Sequence, residues 1–395
     1  MADLLSSSPR RFRRLLLRAG GVLGLVALAA CDPVTTQAPA TIDATEPVEV
    51  ALLVPSGSDE AGDEVLARSL ENAARLAIAD LGAAVTIDLR VYQTEGSPAV
   101  AAEVAAQAVN EGAKIILGPV FAQSANAVGA TVRPANINVL SFSNNTDIAG
   151  GNVFVLGNTF QNTADRMVKF AAGQGRTTIV VAHAQNTVGQ VGANAVALAA
   201  ANSGLTLAGR NSYPLSQEDV IAAVDTISAT VQSTGATALF LTSDPFGELP
   251  LLAELLPENG VNPEETKFIG LTRWDIPSST LELAGTQGGW FALPDPGLAS
   301  LFENRFTTAF GTAPHPIAGL AYDGMAAIGA LIAQGGADAL TVPSLIQPDG
   351  FAGVNGVFRF RSDGTIERAL AVAEVRENQV VVIDPAPRSF GASGF

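Results

Sequence analysis

Lys114-Ile115-Ile116-Leu117-Gly118 is a continuous apolar run closed by a glycine. It reads as a strand buried on both faces, the mark of a parallel sheet covered by helices. Upstream, Val48-Glu49-Val50-Ala51-Leu52-Leu53-Val54 is a second such run, ended by Pro55-Ser56-Gly57. Asp63 to Leu81 follows with helical apolar spacing at Leu66, Leu70, Ala74, Ala77 and Leu81, which completes one βα unit. The alternation recurs, with strands predicted near 85–93, 114–118 and 138–142 and helices near 98–110 and 122–133. After Phe154-Val155-Leu156-Gly157 a second series predicts strands near 177–183, 205–208, 238–242 and 267–271, with helices near 161–173, 189–202, 218–233 and 247–256. A strand over 289–293 precedes helices near 299–310 and 318–334. The segments 356–360, 366–373 and 379–383 read as antiparallel, with Ser362-Asp363-Gly364 as a hairpin turn. The pattern predicts an α/β chain of two doubly wound, Rossmann-like lobes.

The composition agrees with that size. At 395 residues the chain has material for two to three lobes of roughly 100–200 residues each. Apolar residues make up 48% and charged residues 15%, which excludes disorder along the whole length. A formal charge of −16 repels phosphate backbones and argues against nucleic acid as a partner. The first 30 residues carry Arg10, Arg11, Arg13, Arg14 and Arg18, then an apolar run from Ala19 to Ala30 that stops at Cys31, the only cysteine. That is the n-region and h-region of an export signal, too short to span a bilayer. Its removal leaves 17 basic and 37 acidic residues. Residues 31–47, rich in Pro, Thr and Ala, suit a flexible tether.

Catalytic chemistry is thin. The chain holds no Gly-x-Ser-x-Gly elbow, His-Glu-x-x-His helix or Walker loop. His183 closes the strand Ile179-Val180-Val181-Ala182-His183, at the carboxyl end where open α/β sheets bind ligands, although a structural histidine is the commoner outcome there. His315 lies between two prolines and reads as a loop residue. Ser141 and Ser143 follow a strand with no base nearby in sequence, so they read as hydrogen-bonding groups. The expectation is a non-enzymatic protein with no cofactor and no metal.

Several segments carry a resemblance. Gly118-Pro119-Val120-Phe121-Ala122-Gln123-Ser124, Asn138 to Asn145 and Val153 to Gly157 resemble the type 1 periplasmic binding protein fold of the leucine/isoleucine/valine-binding group. Trp274-Asp275, Gly288 to Pro296 and Ala321-Tyr322-Asp323-Gly324 are similar to the lipid-anchored penicillin-binding-protein activators, and Leu28-Ala29-Ala30-Cys31 resembles the lipobox that makes Cys31 the acylated first residue of a mature lipoprotein. The resemblance implies two lobes joined by a three-crossing hinge, with a ligand cleft between them. Placed here, the crossings fall near 156–160, 293–297 and 341–345. Lobe 1 is then 48–157 and 295–342; lobe 2 is 158–294 and 343–390.

Loops that follow parallel strands present backbone N–H groups at helix N-termini, which favour an anionic group. Ser124, Ser141 and Ser143 lie in such loops, and the resemblance implies that these loops hold a ligand carboxylate. In the amino-acid-binding relatives lobe 2 adds an aromatic and an acid that face the ammonium. Here the loop after His183, including Asn186, lacks the Tyr-Gly of those relatives. Asp244 is an available acid, in an Asp-Pro pair that is also a common turn. Trp274 and Asp323 read either as cleft residues or as core and pairing residues. Two functions stay open. One is an accessory lipoprotein that stimulates a peptidoglycan synthase by protein–protein contact; the other is a solute-binding lipoprotein that delivers an amino acid or small polar ligand to an ABC transporter permease. Either is periplasmic and membrane-held through its lipid, in the inner or the outer membrane. Replacing Cys31 by Ser is expected to abolish incorporation of radiolabelled fatty acid and to leave the protein uncleaved at residue 30, read by gel mobility.

Overall fold

The computed structural model describes residues 41–391. The predicted signal peptide at 1–30, Cys31 and the start of the predicted tether therefore lie outside the described residues. The first lobe alternates β1 (Val48–Val54), α1 (Asp63–Leu81), β2 (Ile87–Gln93), α2 (Pro98–Asn110), β3 (Ile115–Leu117), α3 (Ala122–Val132), β4 (Asn138–Ser141) and β5 (Val153–Val155). The second runs α4 (Phe160–Gly173), β6 (Thr178–Ala184), α5 (Thr187–Ser203), β7 (Thr206–Tyr213), α6 (Gln217–Thr234), β8 (Ala238–Leu241), α7 (Leu249–Glu258), β9 (Lys267–Gly270) and β10 (Trp290–Leu293). The chain continues through α8 (Pro296–Phe310), α9 (Ala318–Gln334), α10 (Val342–Leu345), β11 (Phe358–Phe360), β12 (Ile366–Arg368), β13 (Ala371–Arg376) and β14 (Gln379–Asp384).

The first sheet has the order β2-β1-β3-β4-β5, parallel throughout. Successive strand residues point to opposite faces, and β1 shows both faces buried. Val50, Leu52 and Val54 join one core with α1 and α9, while Ala51 and Leu53 join the other with α2 and α3. The second sheet, β14-β13-β10-β9-β8-β6-β7, repeats the device: Val180 and Ala182 face one cluster, Ile179 and Val181 the other. Its β13 and β14 are antiparallel additions at the edge.

Three readings of the sequence need correction. The strand expected over 205–208 extends to Tyr213, because β7 is an edge strand with a polar stretch, Arg210-Asn211-Ser212, that makes no apolar run. The tether is shorter than 31–47, since Ile42 is buried in the first core and its N–H donates to the Ala337 carbonyl at 2.9 Å. The third crossing lies at Ala369–Leu370, not near 341–345. Leu345, Phe351, Phe358, Phe360 and Ile366 all pack into the first lobe's core, and only with β13 does the chain enter the second sheet. The run 366–373 reads as one strand because both sheets bury it, yet it is shared between two sheets. The β11–β12 hairpin also shields an edge: Val155 of β5 donates to the Gly364 carbonyl at its turn.

One ion pair closes this junction. Arg368 Nη1 donates to Asp323 Oδ2 at 2.6 Å, with both side chains at most 1% exposed. Asp323 also accepts from the Val354 N–H and the Asn355 amide, and the Arg368 guanidinium lies 4.8 Å over the Phe358 ring. The Arg368 backbone exchanges two hydrogen bonds with the Asn162 side chain on α4, and Arg368 Nη2 reaches the Leu156 carbonyl at the first crossing. Asp323→Ala is expected to destabilise the protein by about 3–5 kcal/mol, because it leaves a buried guanidinium unpaired. Asp323→Leu with Arg368→Met should recover much of that loss, as read by urea denaturation midpoints.

Candidate functional site

In an open parallel sheet, ligands bind beyond the carboxyl ends of the strands where the strand order reverses. That point falls between β1 and β3 in the first sheet and between β6 and β8 in the second. At the first, a pocket of about 430 Å³ lies among the loops that follow β1, β2 and β3. The loop from β3 into α3 is held close to β1. Gly118 has a φ of +93°, and a Cβ there would run into the Leu53 carbonyl oxygen, so glycine is required.

That close turn aims the start of α3 at the pocket. Phe121 occupies the N-cap without a side-chain cap, so the first N–H groups of the helix carry unquenched partial positive charge. Ser124, in this first turn, is fully buried and lines the pocket, and its Oγ has no hydrogen-bond partner. An unsatisfied buried hydroxyl costs about 1–3 kcal/mol. The same pocket carries the carboxylates of Glu60, Asp63 and Glu95, and no Lys, Arg or His lines it. A helix N-terminus and three acids in one pocket offer complementary poles to a small zwitterion.

The other serines serve the scaffold. Ser141 is fully buried; its Oγ donates to the Pro119 carbonyl at 2.9 Å and accepts from the Ser143 N–H at 3.1 Å. Ser143 Oγ in turn accepts from the Asn145 N–H. Both therefore brace the β3 and β4 loops, and the Ser143 N–H is already engaged.

At the second reversal, Asn186 caps α5 by accepting from the Gly189 N–H at 2.7 Å. Asp244 is exposed and accepts from the Phe246 N–H at 2.9 Å, which holds Phe246 outward at 74% exposure. Buried Thr242 has an unpartnered Oγ1 on the same loop. Ser243 fastens the loop, with its hydroxyl 2.9 Å from the Tyr213 hydroxyl and its carbonyl accepting from Thr272. Burial, with Glu248 beside it, pushes the Tyr213 phenol far above its ordinary range, so it stays neutral.

Three remaining expectations resolve into structure. His183 is 4% exposed; its Nδ1–H donates to the Ala184 carbonyl at 2.9 Å and its Nε2 accepts from Arg210 at 3.2 Å, so both ring nitrogens are satisfied. Trp274 is fully buried in the second lobe's core, stacked 6.3 Å from Phe291 and tight against Gly270. Asp323 is spent on Arg368. Asp275 pairs with Arg273, and Tyr322 donates to Asp80. Asp275, Tyr322 and Asp323, from the segments that pointed to the activator branch, are thus each paired with a neighbouring side chain. Glu60, Asp63, Glu95 and Phe246 escaped the sequence reading. Their signal was positional: Glu60, Glu95 and Phe246 follow strand ends by a few residues and Asp63 opens α1, but neither residue type nor motif marked them.

Comparison with known proteins adds the family. A family model described as periplasmic binding protein matches residues 47–379. Among solved structures, a Rhodospirillum rubrum protein of the branched-chain amino acid ABC transporter class superposes with a TM-score of 0.74 at 18% identity, covering 86% of this chain and all of the other. A branched-chain amino acid ABC transporter periplasmic ligand-binding protein from Burkholderia xenovorans gives 0.66 at 18%, over 87% of this chain and 94% of the other. A Desulfitobacterium hafniense ABC transporter substrate-binding protein in complex with leucine gives 0.62 at 18%, over 86% and 100%. Among curated proteins none matches in sequence.

The buried histidine generates a pH prediction. Burial, reinforced by the Arg210 charge, lowers the His183 pKa below its ordinary 6.5, and burial lowers that of His315 too. The unfolded chain then binds protons more readily, so this contribution to stability is full above pH 6.5 and is lost as pH falls toward the folded value. Urea midpoints are expected to drop between pH 7.5 and 5.5, and His183→Gln should shrink that drop.

Proposed function

The chain belongs to the periplasmic binding protein family, and from that premise we propose that it is the solute-binding component of an ABC transporter, held at the membrane through Cys31. It captures an α-amino acid, or a similar small zwitterion, and presents it to the permease without chemical change. The carrying observation is the pocket after β1, β2 and β3. There an uncapped helix start and the unpartnered Ser124 hydroxyl suit a carboxylate, while Glu60, Asp63 and Glu95 suit an ammonium.

Asp244 and the exposed Phe246 on the second lobe supply the acid and aromatic that close over such a ligand when the lobes swing together about the hinge. The Tyr-Gly of the amino-acid-binding relatives is absent after β6, and Phe246, two residues past Asp244, takes the aromatic role from a different loop. The structural neighbours named for branched-chain amino acid transport and for leucine support the transport reading. The peptidoglycan-synthase reading has no comparable support, since Trp274 and Asp323 serve the core and the hinge.

A thermal-shift and calorimetric screen of the purified protein against the free amino acids tests this. A ligand at a hundredfold its dissociation constant adds about 2.7 kcal/mol of stability. Ser124→Ala should weaken binding at least tenfold while leaving the unliganded melting temperature unchanged or higher, because it removes an unsatisfied buried hydroxyl. Asp63→Asn with Glu95→Gln should weaken it further. No saturable hit, or a hit indifferent to these changes, would sink the proposal.

A further inference from the structure

Five of the chain's basic residues converge on elements that contribute nothing to the carboxyl-edge pocket. Arg166 and Lys169 lie one turn apart on α4, Arg359 and Arg361 two residues apart along and just past β11, and Arg368 ends β12. Together with the C-terminal end of α5 they line a cavity of about 710 Å³. In a chain of formal charge −16 this is an unusual concentration.

The acids do not cancel it. Asp165 and Glu367 line the cavity, Glu367 holding Arg359 at 2.8 Å; Asp384, in the neighbouring groove, holds Arg166 at 2.7 Å, and buried Asp323 holds Arg368. Against these four the five cations keep a surplus. Burial, with Glu367 nearby, raises the Asp165 pKa, and Gln161 and Arg361 pull it back. Lys169 is exposed, and Arg361 meets Glu367 only at 3.6 Å, so both keep donors for an incoming group. Arg368 Nε is the independent mark of a ligand: it is buried without a partner, on a side chain that lines the cavity and is 3% exposed as a residue.

A second groove, about 470 Å³, shares Arg166 and Lys169 with this cavity and runs on over Phe170, Ile383, Pro385 and Pro387, with Gln174 and the Arg166-bound Asp384 also in its lining. A basic cavity therefore borders a largely apolar groove. We propose that this is a second binding site, for a phosphate monoester carrying an apolar chain. The phosphate sits between Lys169 and the Arg361 guanidinium fork, which matches phosphate oxygens in pairs, and takes from Arg368 the Nε–H alone, since its other two nitrogens are held by Asp323 and the Leu156 carbonyl. The chain lies along Phe170 and Ile383, where burial of its methylenes adds affinity.

Calorimetry on the purified protein with inorganic phosphate and with hexyl phosphate tests the site. Saturable binding of both, with hexyl phosphate at least tenfold tighter, is the expected result. The double variant Lys169→Gln, Arg361→Gln removes two charges outside the core and should lose at least tenfold for both ligands with little change in the melting temperature. Absence of binding, equal affinity for the two ligands, or binding that survives the double variant overturns the proposal. The source of the phosphate is read separately with a protein that begins at Asp32, which carries neither the predicted signal segment nor a lipid of its own. Cosedimentation with vesicles containing phosphatidic acid but not with phosphatidylcholine vesicles, lost in the double variant, supports a membrane lipid; hexyl phosphate binding without cosedimentation supports a soluble ester.

Discussion

Asp323 and Arg368 are taken out of water together, at a cost that their attraction offsets only because further hydrogen bonds satisfy what remains of both groups. The helix bearing Asp323 belongs to the first lobe, and the backbone of Arg368 is tied to α4 of the second. The pair therefore ties the first crossing, at Leu156, to the third, at Ala369–Leu370. It also explains why the β11–β12 hairpin stays with the first lobe, since moving it would strip Asp323 of its cation.

With the junction held, each sheet presents its carboxyl edge through loops braced from beneath. Ser141 and Ser243 spend their hydroxyls on this bracing, and Gly118 allows the β3 loop to pass close to β1. What the bracing leaves unspent is informative. Ser124 and Thr242 are buried hydroxyls without partners, one on each carboxyl edge, and buried polar groups without partners are rare enough to need a reason. The same logic singles out Arg368 Nε in the basic cavity, so one guanidinium serves both the hinge and the second site.

The site was partly legible in the residues. Ser124 and Asp244 were both singled out for following a strand end, and of the two Ser124 lines the pocket after β1, β2 and β3. Ser141, His183 and Trp274 satisfied similar positional rules and turned out to brace, pair and pack, because a sequence position does not say whether a side chain's hydrogen bonds are already taken. Glu60 and Glu95 were overlooked for the opposite reason: isolated acids in loops look like solvated surface until a fold gathers them around one space.

The sequence by itself determined the two doubly wound lobes, since apolar runs of strand length alternating with helical spacing bury both sheet faces only in that architecture. It determined the acidic surface and the candidate export signal as well, because charge and apolar length are local properties. The tertiary structure alone decided where the third crossing falls and which acids gather after β1 and β2. It alone paired Asp323 with Arg368, 45 positions apart. Those outcomes depend on which buried groups find partners across the fold, and burial and partnership are properties of the packed chain rather than of any stretch within it.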